Sequence, residues 1–239
     1  GLAEDVNPWV RRLVMDLVAG LDDSRTADIL TTGLHDAEPG VRASALWSLG
    51  RRRDPASAPA VAACLTDPLP RVRLAAARAL VLLDTRLAAL HLSALIHDPE
   101  ETVRREVAEG LGESGEETAL PSLAIVLEDE AAAVRQRAAE ALAAIGTTKA
   151  IETLVAALTG PRSRPLAQAQ LLRLGPAALR VLLATARSAE PALRVASAET
   201  LGLLRQPQAL PTLRLLMRDP DAAVRAAAEA AVSHIGSAA

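Results

Sequence analysis

Apolar and polar positions along the 239-residue chain follow one pattern that returns every 31 residues. Val10-Arg11, Val41-Arg42, Val72-Arg73, Val103-Arg104 and Val134-Arg135 mark it, and Leu193-Arg194 and Val224-Arg225 are again 31 apart. The 59 residues from Arg135 to Arg194 accommodate one shortened repeat centred on Ser163-Arg164, with steps of 29 and 30. Counted from each arginine, apolar or small residues stand at −1, +3 and +7, as in Val41, Ala45 and Leu49. These offsets trace one stripe of an α-helix, termed helix B, and the small residue at +3 lets neighbouring helices come close. Upstream of the later B helices lies a second apolar segment, helix A, over 26–35, 58–66, 86–97, 119–128, 150–158, 177–187 and 209–218. The pattern predicts a B helix over 8–20, then helix pairs over 24–50, 55–83, 85–112, 117–146, 147–175, 176–204 and 206–236.

Punctuation residues agree with these bounds. Asp67-Pro68, Asp98-Pro99 and Asp219-Pro220 are expected to place an N-cap carboxylate before a proline at the first position of helix B. Gly50, Gly112, Gly146, Gly175, Gly202 and Gly236 fall where B helices should stop in a left-handed residue. Asp also stands six residues before the arginine in six repeats: Asp5/Arg11, Asp36/Arg42, Asp67/Arg73, Asp98/Arg104, Asp129/Arg135 and Asp219/Arg225. Pairing within a repeat and to the next would build a ladder that fixes register, each partly exposed rung contributing ~0–1 kcal/mol. The ladder is expected to fail at Leu158/Arg164 and Ser188/Arg194. Pro165 cannot donate a backbone hydrogen bond, so the B helix of that repeat should begin late, near Arg164.

The 31-residue unit, the Asp-Pro turn and the Val-Arg-x-x-Ala-x-x-Ala-Leu-Gly helix resemble HEAT repeats, in particular the short class named after bacterial phycobilisome lyases. The resemblance implies an all-α, right-handed α-solenoid of about eight helix pairs, about fifteen helices, as a single repeat domain over 1–239. It also implies a protein-binding scaffold whose B helices line an extended concave face. Bilin-lyase-like or enzyme-assisting activity is the alternative the family offers.

Composition fits helices: 52 Ala and 40 Leu, two Trp, no Phe and no Tyr, where strands favour β-branched and aromatic residues. A net charge of −3 gives no global basic excess for nucleic acid. Charge is segregated, however: residues 98–130 carry eleven acids and two bases, and 162–218 carry nine Arg and two Glu. A DNA-backbone binder through that Arg-rich third is therefore a further alternative. No uncharged run reaches the ~18 apolar residues of a membrane span, and one cysteine makes no intrachain disulfide. These features place the expectation in the cytoplasm. The chain opens on Gly1 with no A helix before its first B helix, and the Ala-rich last B helix lacks a polar outer face, so a segment of a larger protein is expected.

On the B helices, offset +5 and its flanks face away from the core stripe. They supply Trp47, Arg51, Arg78, Arg12, Asp16, Arg105 and Glu109 as candidate partner-binding residues. Trp47 is either an interface anchor, as Trp and Arg often are, or a side chain folded onto the adjacent helix. Trp9 is expected to cover the N-terminal end. His35 and His97 sit in turns two repeats apart and make no metal site, and Cys64 reads as a buried, inert thiol. The partner expected is another protein or peptide, with no catalytic residues, cofactor, metal or small-molecule substrate.

Overall fold

The computed structural model describes residues 2–21 and 25–236. Among them are fifteen α-helices and no strand. Helix α1 (Pro8–Val18) follows a short 3-10 turn, and seven pairs succeed it: α2 (Arg25–Gly33) and α3 (Pro39–Arg52), α4 (Ala58–Ala63) and α5 (Pro70–Leu83), α6 (Thr85–Leu92) and α7 (Glu101–Ser114). The rest are α8 (Leu120–Val126) and α9 (Ala132–Ile145), α10 (Thr148–Ala156) and α11 (Arg164–Leu174), α12 (Pro176–Thr185) and α13 (Pro191–Leu204), α14 (Leu210–Leu216) and α15 (Ala222–Gly236). Odd-numbered helices are the B helices of the sequence pattern and even-numbered ones the A helices. The chain forms two compact units, Gly1–Ala119 with α1–α7 and Leu120–Ala239 with α8–α15.

The predicted stripe is the core. Val41, Ala45, Val72, Ala76, Leu80, Val103, Val107 and Leu111 of the first unit are fully buried, as are Val134, Ala138, Leu142, Leu171, Leu201, Val224 and Ala228 of the second. Most of the A helices run shorter than their apolar segments suggest, because α4, α6 and α10 finish in 3-10 turns at Cys64–Thr66, Ser93–Leu95 and Ala157–Thr159. As expected, α11 starts at Arg164, with Pro165 in its first turn.

Four details differ from the sequence reading. The turn aspartates are not N-caps: α5 begins at Pro70, capped by Leu69, and Asp67 accepts instead from the Leu69 N–H at 2.9 Å. Asp36, Asp98, Asp129 and Asp219 close the same two-residue turn. Gly50, Gly112, Gly202 and Gly236 belong to their helices, and the left-handed residues after α3, α7 and α13 are Arg53, Gly115 and Arg205. Of the expected glycine caps, Gly146 and Gly175 do carry positive φ. What Gly202 and Gly50 provide is close approach. A Cβ at Gly202 would stand 2.7 Å from the Ala231 Cα, and one at Gly50 would stand 3.0 Å from the Ala79 Cα.

The third correction concerns the ladder. Arg42, Arg73, Arg104, Arg135 and Arg225 each donate through Nη1 to the backbone carbonyl, not the carboxylate, of the aspartate six residues back. The carboxylate receives the arginine of the preceding repeat: Arg11–Asp36, Arg42–Asp67, Arg73–Asp98 and Arg194–Asp219 pair at 2.6–2.8 Å. Nε and Nη2 grip both oxygens, as in Arg73 with Asp98 at 2.6 and 2.8 Å. These rungs are largely buried, not partly exposed, with Asp98 keeping 3% and Arg73 11% of its side chain in solvent. Burial alone would raise the Asp98 carboxyl, but the Arg73 hydrogen bond and the Glu100 N–H outweigh it and hold the group below its ordinary value.

The last correction places the break in the ladder. Arg194 keeps both of its connections, donating to the Ser188 carbonyl at 2.9 Å and to Asp219. The break lies upstream, where Gly160 stands at the position of an acceptor aspartate and the buried Arg135 Nε has no hydrogen-bond partner. Glu128 replaces the missing cap of α11, accepting from the Ser163 N–H at 3.2 Å and from the Ser163 hydroxyl. Arg164, lacking an aspartate ahead of it, turns to Glu199.

Candidate partner-binding groove

Helices α1, α3 and α5 lie side by side in the first unit, and their outward residues meet. The +1 and +5 positions of one B helix adjoin the −2 and +2 positions of the next. Arg12 and Asp16 of α1, Trp47 and Arg51 of α3 and Arg71 of α5 thereby line one open groove of about 510 Å³. Gly40, Ala43 and Ser44 form its lining between them, small residues that leave the space unfilled. A continuation of about 270 Å³ shares Arg12, Gly40 and Arg71 and extends past Trp9 and Glu38.

Trp47 is 52% exposed, so it is not folded into the adjacent helix. Arg12, Asp16 and Arg51 hydrogen-bond to no described residue. The Arg12 guanidinium stands 5.8 Å from the Trp9 ring centroid. Arg71 meets Glu38 at 3.4 Å, both about half exposed, a pair of little strength in water. The groove therefore presents an apolar ring among three guanidinium groups, opposed by Asp16 and Glu38.

The remaining candidates lie elsewhere. Arg78 does not line the groove. It pairs with Glu106 of α7 at 2.7 Å, and that hydrogen bond, with Glu109 nearby, raises its already high pKa. Arg105 is exposed and Glu109 half-buried on α7. Arg71 and Glu38 were missing from the sequence reading because offsets were followed down single helices. The neighbouring-helix relation, +1 beside −2, is the signal that finds them.

Trp9 does not cover the first helix and is 73% exposed. Cys64 is half-buried, not buried, and burial pushes its thiol pKa up. Among the described residues no His/Cys/Asp/Glu group has metal-site geometry, and no helix is long and apolar enough to cross a membrane. Of the nine arginines over 162–218, Arg162, Arg164 and Arg194 bind Glu128, Glu199 and Asp219, which reduces the set free to meet a phosphate backbone.

Helix pairs repeating with a shared core stripe and an inter-repeat ladder define an all-α solenoid. A sequence profile described as HEAT repeats matches residues 1–81, 88–174 and 176–239, and the chain belongs to the HEAT-repeat family. No curated protein matches it in sequence. Solved structures share the fold. The karyopherin Kap121p bound to Nup53p aligns with a TM-score of 0.64 at 16% identity, over 98% of this chain and 32% of that one. The complex of CpcE and CpcF of phycocyanin lyase from Nostoc sp. PCC7120 gives 0.52 at 24% identity, over 90% and 97%. An engineered protein gives 0.50 at 18%, over 99% and 77%.

Proposed function

We propose that the chain is a noncatalytic protein-interaction scaffold that holds an acidic peptide segment in the groove of its first unit. In this reading an apolar side chain of the partner covers Trp47, and carboxylates of the segment meet Arg12, Arg51 and Arg71. The observation that carries the proposal is a half-exposed tryptophan beside three guanidinium groups, of which Arg12 and Arg51 hydrogen-bond to no described residue and Arg71 holds only an exposed pair with Glu38. Trp and Arg are the residue types that dominate binding energy at interfaces, and Arg binds carboxylates with two parallel hydrogen bonds. Kap121p, similar in fold, is seen bound to Nup53p and to the extreme C-terminus of the phosphatase Cdc14p, which supports a peptide as the occupant.

The test is selection of linear peptides from a random display library. Enriched sequences are expected to be acidic with an apolar residue between the carboxylates. Trp47→Ala should weaken their binding by at least about thirty-fold, the equivalent of ~2 kcal/mol, with unchanged thermal unfolding. Enrichment of neutral or basic peptides, or affinity unaltered by Trp47→Ala and Arg51→Glu, would overturn the reading.

A further inference from the structure

Helix α3 forms the floor of the groove at Trp47. Gly40, Ala43, Ser44, Trp47 and Arg51 lie along one of its faces, with Arg12 and Asp16 of α1 on one side and Arg71 of α5 on the other. The charges on these three helices are ordered along the floor, not spread evenly over it.

At one end Gly40 leaves space between two basic side chains. A Cβ there would lie 3.8 Å from the Arg71 Nη2 and 4.0 Å from the Arg12 Cδ. The carboxylate beside them, Glu38, makes only the half-exposed pair with Arg71. Seven residues further along α3, about 10 Å at the rise of a helix, stands Trp47.

Here the sign changes. Ser48 of α3 donates to the Met15 carbonyl of α1 at 2.8 Å. Trp47 precedes Ser48 in the chain and Asp16 follows Met15, so ring and carboxylate flank one hydrogen bond between facing helices. Asp16 is exposed and, like Arg12 and Arg51, hydrogen-bonds to no described residue. It occupies offset +5, at which Trp47 and Arg78 of the inner helices are exposed as well. Its exposure therefore belongs to the junction and not to the place of α1 in the chain. One turn beyond Trp47, Arg51 restores positive charge. A carboxylate set against Asp16 is repelled, whereas a cation there is attracted, and such juxtapositions decide between partners.

Granted the groove as the binding site, on which this rests, we infer that the partner segment is charge-ordered: an acid, an apolar anchor with a basic residue beside it, then a second acid. An extended chain advances ~3.3 Å per residue. The anchor over Trp47 therefore follows the first acid, held at Gly40 by Arg12 and Arg71, by about three residues. The second acid, at Arg51, follows the anchor by about two. Adjacent side chains of an extended segment point to opposite sides, which carries the basic residue from the anchor to the α1 wall and Asp16. Asp16 is the specificity-determining group of the groove, selecting a base at one position of an otherwise acidic segment.

The experiment is isothermal titration calorimetry of the full chain with two hexapeptides of one composition and blocked termini. In Glu-Ala-Ala-Leu-Lys-Glu the lysine adjoins the anchor, and in Glu-Lys-Ala-Leu-Ala-Glu it faces Arg12 and Arg71. Each is made in both chain directions, and the tighter direction is compared. The first is expected to bind at least about threefold more tightly, within the range of an exposed ion pair. Asp16→Lys, with fold checked by circular dichroism, should cancel that preference. Equal affinities for the native chain, or a preference that persists in Asp16→Lys, overturn the inference. Trp47→Ala separates this failure from that of the groove. If Trp47→Ala abolishes binding, the groove stands and a missing preference refutes the charge order alone. Binding untouched by Trp47→Ala, or absent for both peptides, refutes the groove as the site and the charge order with it.

Discussion

Arg73 and Asp98 show what a single rung contributes. Two hydrogen bonds join them across a repeat boundary, and the same carboxylate accepts the Glu100 N–H at 2.9 Å. Removing one partner leaves a guanidinium with little access to water, so Asp98→Ala is expected to cost roughly 2–3 kcal/mol, seen as a lower midpoint in thermal unfolding. The pH dependence has a definite sign. Asp98 is held below its ordinary value of 3.8 in the folded chain, so its stabilising contribution is fully present above that value. The contribution is lost as pH falls through the lower, folded pKa. The gap in unfolding temperature between the wild type and Asp98→Ala should therefore be constant near neutrality and narrow below about pH 4. A gap that persists unchanged at low pH would assign the effect to packing. The ladder was legible from spacing, both within a repeat and to the next, but the division of its bonds was not. The aspartate's backbone carbonyl holds the arginine six residues on, and its carboxylate goes to the arginine 25 residues upstream.

At the scale of elements, the helix repeat was readable because apolar stripes depend only on helical periodicity. The ends were less so. Glycine near the end of a B helix suggests a left-handed cap, yet Gly202 is helical and serves to admit Ala231. Gly115, at φ 67°, is the conformational glycine, with nothing within 4 Å of an added Cβ. The two should respond differently to substitution. Gly115→Ala is expected to cost about 1 kcal/mol through its backbone alone, and Gly202→Leu at least about 2 kcal/mol through overpacking. Equal losses in chemical denaturation would contradict this division. Helix α11 is the second element-scale case. Arg135 finds no acceptor at Gly160, and α11 joins α13 through the longer side chains Arg164 and Gln168. Stability in a repeat array is approximately a sum of nearest-neighbour terms. Amides of α11 should therefore exchange hydrogen faster than those of α13 and α15, measured peptide by peptide. Uniform protection would show the gap in the ladder to be energetically silent.

Within each unit most B-helix junctions repeat one arrangement, and for that reason the fold was visible in the sequence while the candidate groove was visible only in part. Four of the seven outward candidates, Arg12, Asp16, Trp47 and Arg51, share the groove. Arg78 does not, because Glu106 of the next helix takes its charge. Repeat geometry places residues on a face, but only cross-helix neighbours decide which charges stay available. The central claim is that Trp47 and its arginines receive an acidic segment. Trp9 and Trp47 are the two tryptophans of the chain, so a Trp9→Phe variant leaves Trp47 as the sole indole. Its fluorescence can be titrated with a peptide of alternating glutamate and leucine residues. A saturable change in Trp47 emission, weakening steeply with added salt and abolished by combining Arg12→Glu with Arg51→Glu, is the predicted result. Emission that stays constant while the peptide binds, or that changes equally in the arginine variant, would contradict the assignment of this groove as the binding site.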